Sequence, residues 1–328
     1  MSSFRLIALG ILACCGVAAS MAAGGTEDDE IARQLATRAS RAVMDGDRAL
    51  ALEKLRLIAK LFPLTNHAAE ARWQIARLEE RLGEPQAAFD ALQALVTGHP
   101  GQFESAHAAQ LALVRRRMDA AVERERRGSL EPRQTKTMIE AERDLVAGML
   151  RTIVHNGPQS ETGIVARHLL ALALERGGDV EGALEAHEEF LDLHPEHELA
   201  DDAACQAGYI RYKQWKSMMG AAPKQRTAAR DALYWFVTRY PQSERCSQAF
   251  NCLRDLVFAE QRELESLARF YEGRGKPEAA RVYYRQLAQL NPELLKQPGE
   301  LREKLLEAVK SPEGETLSQR EREPAAGR

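Results

Sequence analysis

The sequence predicts an all-α protein, a solenoid of about six helical hairpins closed by a C-terminal capping helix. Three observations predict it. The first is an internal ruler: Ala, Gly seven residues on, Ala five further, Pro twelve further. It fits Ala39-Gly46-Ala51-Pro63, Ala76-Gly83-Ala88-Pro100, Ala171-Gly178-Ala183-Pro195 and Ala268-Gly275-Ala280-Pro292. Copies in identical register mark a repeat. The second is the chemistry of those positions. The alanines let two helices approach, the Gly takes a turn conformation that other residues resist, and the Pro cannot continue the second helix. The third is that no segment sustains period-two alternation between turn signals, which predicts essentially no β-structure.

A chain of 328 residues holds one or two ordinary domains, but a solenoid grows by stacking. A hydrophobic content of 45% with only 6% aromatic residues suits seams of Ala and Leu. The formal charge of −3 offers no electrostatic case for nucleic acid.

The elements follow in order. Residues 1–13 read as an export signal, Arg5 leading an apolar run to Ala13 that is too short for a stable membrane span. Residues 14–25 are small and flexible and read as a tether. The solenoid is expected over residues 26–310. Thr26 caps a first helix that runs to about Met44, with Glu27, Asp28 and Asp29 at the positive end of its dipole. Its partner, 48–62, sets Leu52, Leu55, Ile58 and Leu61 on one face and stops at Pro63. The second hairpin pairs 67–82 with 86–97, and Pro85 sits in a first turn that tolerates it.

In the third hairpin, 103–127 is long and charged. Gly128, Ser129 and Pro132 break it, and 135–154 follows with Val146 where the ruler expects Ala. The fourth is regular, 161–176 and 180–193. The fifth is stretched, 198–218 and 227–239 across Gly220 and Pro223, with Ala229 keeping the spacing to Pro241. The sixth pairs 244–271 with 277–290. Residues 298–309 form the cap, and residues 311–328 are expected to be a disordered tail.

Nothing resembles a nucleophile with its base, a phosphate loop or a paired-carboxylate site, so no catalytic residue and no cofactor is assigned. His187, His194 and His197 read as solvated turn residues and not as a metal site, because a loop pair around a Pro is poorly organised for coordination. Arg115, Arg116, Arg117, Arg124, Arg126 and Arg127 alternate with Asp119, Glu123 and Glu125, as on a solvated face with internal pairs. Cys205, Cys246 and Cys252 read as small buried hydrophobes. A disulfide through Cys205 is the other reading, while Cys246 and Cys252 lie six apart on one helix and cannot bond.

Thirteen of the nineteen aromatic residues fall between Tyr209 and Tyr284. Trp235, Phe250, Phe258 and Phe270 are expected in the core. Tyr209, Tyr212 and Trp215, three apart, form a candidate partner-contact stripe.

The ruler resembles that of tetratricopeptide repeats. The step from Pro63 to Ala76 and from Pro158 to Ala171 is thirteen residues, longer than in the plain repeat. The junctions Asn156-Gly157-Pro158-Gln159-Ser160-Glu161 and Tyr240-Pro241-Gln242-Ser243-Glu244 share Pro-Gln-Ser-Glu. This junction looks like that of the BamD-like outer-membrane assembly lipoproteins, and the resemblance is best from about Asp231 to Pro292. Ile11-Leu12-Ala13-Cys14 resembles a lipobox, which would make Cys14 the acylated N-terminus; Cys15 is the second choice, and ordinary cleavage further on is the other reading. Pro277 and Asn291-Pro292 depart from the family pattern, and the third hairpin matches it poorly.

The resemblance implies a non-catalytic scaffold held by lipid on the periplasmic face of the outer membrane. Its partners would be a barrel-assembly subunit or unfolded outer-membrane proteins. The alternative is a soluble periplasmic adaptor for cell-envelope or peptidoglycan machinery.

Overall fold

The computed structural model describes residues 27–63, 65–127, 132–218, 222–291 and 299–310. Cys14, Pro292 and the segments 1–13, 14–25 and 311–328 lie outside them. The described residues are helices, turns and short connections, with no strand among them. They divide between His194 and Pro195 into two compact units.

The first unit holds α1 (27–44), α2 (Arg48–Leu61), α3 (Asn66–Leu82), α4 (Pro85–Gly98), α5 (Phe103–Arg126), α6 (Pro132–Asn156), α7 (Glu161–Arg176) and α8 (Val180–Leu193). From α2 onward each helix packs on the next. The second unit holds α9 (Ala200–Ser217), α10 (Pro223–Arg239), α11 (Cys246–Gly273), α12 (Pro277–Leu290) and α13 (Glu300–Lys310). Each again packs on its successor, and α13 covers the end of the stack, its Leu305 buried beside Ala268, Tyr284 and Leu287.

One packing rule recurs in both units. The first-helix alanines Ala39, Ala76, Ala171 and Ala268 are buried, as are Ala51, Ala88, Ala183, Ala229 and Ala280 on the second helices. A methyl side chain is what lets two backbones approach at those points. The inner turns need a left-handed residue: Gly46, Gly83, Gly178 and Gly275 have φ of 79°, 81°, 82° and 69°. Eight residues before each Pro stands a buried side chain in Leu55, Leu92, Leu150, His187, Leu233 and Tyr284. Five before it stand Ile58, Leu95, Ile153, Phe190, Phe236 and Leu287, each with no accessible surface.

The ends of the second helices are alike as well. The residue before the Pro donates its N–H to the main-chain carbonyl of that buried residue: Phe62 to Ile58, His99 to Leu95, His194 to Phe190, Tyr240 to Phe236, at 2.8–2.9 Å. The junction then turns. The N–H two residues after the Pro bonds the carbonyl just before it, as Thr65 to Phe62, Gln102 to His99, Ser160 to Gly157 and Ser243 to Tyr240. Here the Ser of Pro-Gln-Ser-Glu has a physical role. Ser160 Oγ donates to the Gly157 carbonyl at 2.8 Å and accepts from the Gly163 N–H at 3.1 Å, so one hydroxyl closes the turn and caps α7. Thr65 does both for α3.

Two helix starts differ from expectation. Pro132 and Pro223, expected as breakers, open α6 and α10. The first turn of a helix has no intrahelical use for that N–H, so Pro is accommodated there. His187 is also corrected: it is fully buried in the core slot eight before Pro195, its ring edge-on to His168 at 5.9 Å. The arginines of α5 are not confined to pairs on their own helix. Arg116 reaches Glu80 of α3 and Arg117 reaches Glu142 of α6, each at 2.7 Å, while Arg126 and Arg127 pair locally with Glu123. Cys205, Cys246 and Cys252 are free thiols, Cys246 half-buried and the others buried.

Candidate functional site

Among the described residues no cluster of His, Cys, Asp or Glu could hold a metal ion, and no helix is long and apolar enough to cross a membrane. The feature that stands out is a groove of about 690 Å³ in the second unit, between α9 and α11.

Helical spacing builds both walls. On α9, Tyr212, Trp215 and Lys216 follow at i, i+3 and i+4. On α11, Asp255, Phe258, Ala259 and Arg262 follow at i, i+3, i+4 and i+7. The sequence-derived stripe is only partly a surface. Tyr209 is half-buried, whereas Tyr212 and Trp215 are each 6% exposed. The three rings run in series, Tyr209 to Tyr212 at 6.1 Å and Tyr212 to Trp215 at 5.9 Å between centroids. Tyr212 and Trp215 are therefore base and not rim.

A polar relay fixes that base. Tyr212 Oη donates to Asp255 Oδ2 at 2.8 Å and accepts from Lys216 Nζ at 3.0 Å. Burial pushes the Tyr212 phenol pKa up, and its hydroxyl in turn holds Lys216 charged above the ordinary lysine range. Beside the groove, the buried Arg226 of α10 pairs with Glu263 and lies 3.9 Å from Glu260, which also meets Arg230 at 2.9 Å. These crossings lock α10 to α11. On the same helix Cys205 is buried, and desolvation pushes its thiol pKa up to about 11, so it is a protonated core residue at neutral pH.

The aromatics expected in the core are the ones left outside. Trp235, Phe250, Phe258 and Phe270 are each about half exposed, and Tyr234 is 65% exposed. The core slots of this unit are already filled by Phe236, Leu233, Leu256 and Tyr284, so the remaining rings fall on other faces. Phe270 is covered on one side by the Arg274 guanidinium, 4.6 Å from its centroid. Phe258 stands in the groove wall. Its exposure was not readable from periodicity, because in a 28-residue helix several faces carry apolar residues.

Comparison with known proteins agrees with this architecture. Residues 70–101 match the tetratricopeptide repeat family, and residues 147–305 match the family described as outer membrane lipoprotein, YfiO. No curated protein matches. Among solved structures, a TPR repeats protein from Bacteroides fragilis NCTC 9343 shares 12% identity over 85% of this chain and 97% of its own, with a TM-score of 0.36. MamA from Desulfovibrio magneticus RS-1 shares 16% over 65% and 97%, at 0.32. PilF from Pseudomonas aeruginosa shares 15% over 87% and 100%, at 0.30. The recurring hairpin geometry and the two family matches show a tetratricopeptide-like fold, in a chain that resembles the BamD-like outer membrane lipoproteins over residues 147–305.

Proposed function

We propose that this protein is a non-catalytic scaffold anchored at the periplasmic face of the outer membrane, working as BamD-like proteins do in the assembly of β-barrel outer-membrane proteins. The observation that carries the reading is the match of residues 147–305 to the outer membrane lipoprotein family, in a chain built from tetratricopeptide hairpins. Such hairpins bind proteins through their surfaces. The sequence Ile11-Leu12-Ala13-Cys14 supports acylation at Cys14, which would supply the anchor. Acylation adds membrane affinity with each buried methylene, and more than one chain is needed for stable anchoring.

Cross-linking in cells followed by purification of the full chain tests the reading. A barrel-assembly subunit or unfolded outer-membrane proteins are expected among the partners. Recovery of peptidoglycan or other envelope machinery in their place would favour the soluble periplasmic adaptor. Cys14→Ser should move the protein from the membrane to the soluble fraction; a wild-type chain that takes up no labelled fatty acid would sink the anchor.

A further inference from the structure

We propose that the groove between α9 and α11 docks an extended, acidic peptide segment of a partner protein, one that carries a bulky apolar residue and a carboxylate two positions apart. This deepens the scaffold reading and rests on it.

The dimensions set the ligand's length. From Asp255 to Arg262 the α11 wall spans seven residues, roughly 10 Å at 1.5 Å per residue, which is the reach of about three extended residues. A volume of about 690 Å³ holds several side chains, within the range of small-ligand sites.

The chemistry of the walls sets its composition. Phe258 is half exposed on the groove wall and makes no ring contact among the described residues, so it offers an apolar face to an incoming side chain. The Trp215 ring borders the same space. Its N–H is buried and has no hydrogen-bond partner among the described residues, so it lacks an acceptor such as a main-chain carbonyl. Arg262, exposed one turn beyond Phe258, makes no hydrogen bond or ion pair among the described residues, although carboxylates are common on α11. Lys216 spends one of its three donors on Tyr212. The one carboxylate in the groove, Asp255, already accepts the Tyr212 hydroxyl. Two cations thus face the groove against one engaged anion, and an acidic ligand is complementary to that balance.

The spacing follows from the same wall. Phe258 and Arg262 are four residues apart, about 6 Å along the helix, which two residues of extended chain also span. Side chains two apart in an extended segment point to one side. An apolar residue against Phe258 therefore sets an acid two positions away against the Arg262 guanidinium, where a bidentate pair can form.

The test uses the purified full chain and the fluorescein-labelled peptide Gly-Ser-Phe-Ser-Glu-Ser-Gly, read by anisotropy. Saturable binding is expected, with at least a tenfold loss when the peptide Phe becomes Ala or its Glu becomes Lys. Phe258→Ala should lose as much. Arg262→Glu should bind the Glu peptide at least tenfold more weakly and prefer the Lys peptide, a reversal that general damage to the fold would not give. Circular dichroism checks that both variants remain folded.

The proposal is overturned if Arg262→Glu leaves the affinity unchanged, or if the Ala and Lys peptides bind as well as the parent. It is also overturned if a chain ending at Lys310 binds while the full chain does not, since the occupant would then be the chain's own tail. Sedimentation showing a dimer that Arg262→Glu dissociates would assign the groove to a second copy, with the same consequence. Failure of the peptide while partners still co-purify leaves the scaffold reading standing. Peptide binding without any barrel-assembly partner does the reverse.

Discussion

The hairpins α7–α8 and α9–α10 close on the same geometry and are filled differently. In α8, Ala183, His187 and Phe190 occupy the slots twelve, eight and five before the Pro; in α10 the same slots hold Ala229, Leu233 and Phe236. Both helices end with an N–H bonded back to the buried Phe. The difference lies outside the slots. Every exposed aromatic among the described residues is in the second unit, whereas the exposed apolar residues of the first are aliphatic. Both hairpins thus share a packing scheme, and the second unit adds rings that the scheme does not use. Phe258, the one of these rings that lines the groove, is the anchor of the docking proposed above.

The strongest attack on this comparison is to delete the shared slot. Phe190→Ala and Phe236→Ala should each cost about 3–5 kcal/mol in denaturant unfolding, whereas Phe258→Ala should stay within about 0.5 kcal/mol. Equal losses at all three would show that Phe258 is core after all.

Next comes crowding by a single methyl. A Cβ on Gly163 would sit 1.9 Å from the Gly157 carbonyl oxygen, and on Gly208 it would sit 2.8 Å from a Leu233 methyl. Both Ala variants should be destabilised by about 1–3 kcal/mol, Gly163→Ala more, because backbone yields less than a side-chain end. A stabilised Gly208→Ala would mean that the gain in helix propensity wins and that α9 and α10 are less tightly seated.

The inner turns rank third. Gly178→Ala and Gly275→Ala meet open space, so only the left-handed backbone is penalised, at about 1–2 kcal/mol in either unit. A large difference between the two, read from thermal melts, would break the equivalence of the hairpins.

The smallest effect is a titration. Desolvation, reinforced by the Arg72 charge, lowers the pKa of His99 in the folded protein below its ordinary 6.5. On acidification the unfolded chain takes the proton first, so stability present above that value declines as the pH falls through it. His99→Gln should flatten this part of the stability profile; an unchanged slope would remove His99 from the account.

Much of the fold could be read from single residues with strong backbone demands. The four ruler glycines and the prolines mark inner turns and helix ends because few other residues serve there. The slots five and eight before the Pro show in the sequence only as part of an apolar face, because Leu, Ile, Phe, Tyr and even His fill them by volume and not by identity. The groove was half visible. The spacing of Tyr209, Tyr212 and Trp215 put rings along one helix, but which rings became base and which wall depends on α11, whose length gives it several apolar faces. Phe258 and Arg262 carried no signal of their own in the sequence, since an apolar and a basic residue four apart are ordinary on any helix.

The junction turn has a consequence for how such a chain can change. Its bonds involve only residues from five before the Pro to a few after it, so each junction closes without reference to what lies elsewhere in its hairpin. The third hairpin illustrates this. Its helices run to 24 and 25 residues, yet Ile153, Gly157 and Ser160 close as their counterparts do. New sequence can therefore enter at an inner turn while the register of the following hairpin is kept. For anyone grafting a foreign loop or shortening a helix, the inner turns are the editable sites and the Pro junctions are the splice points to leave intact.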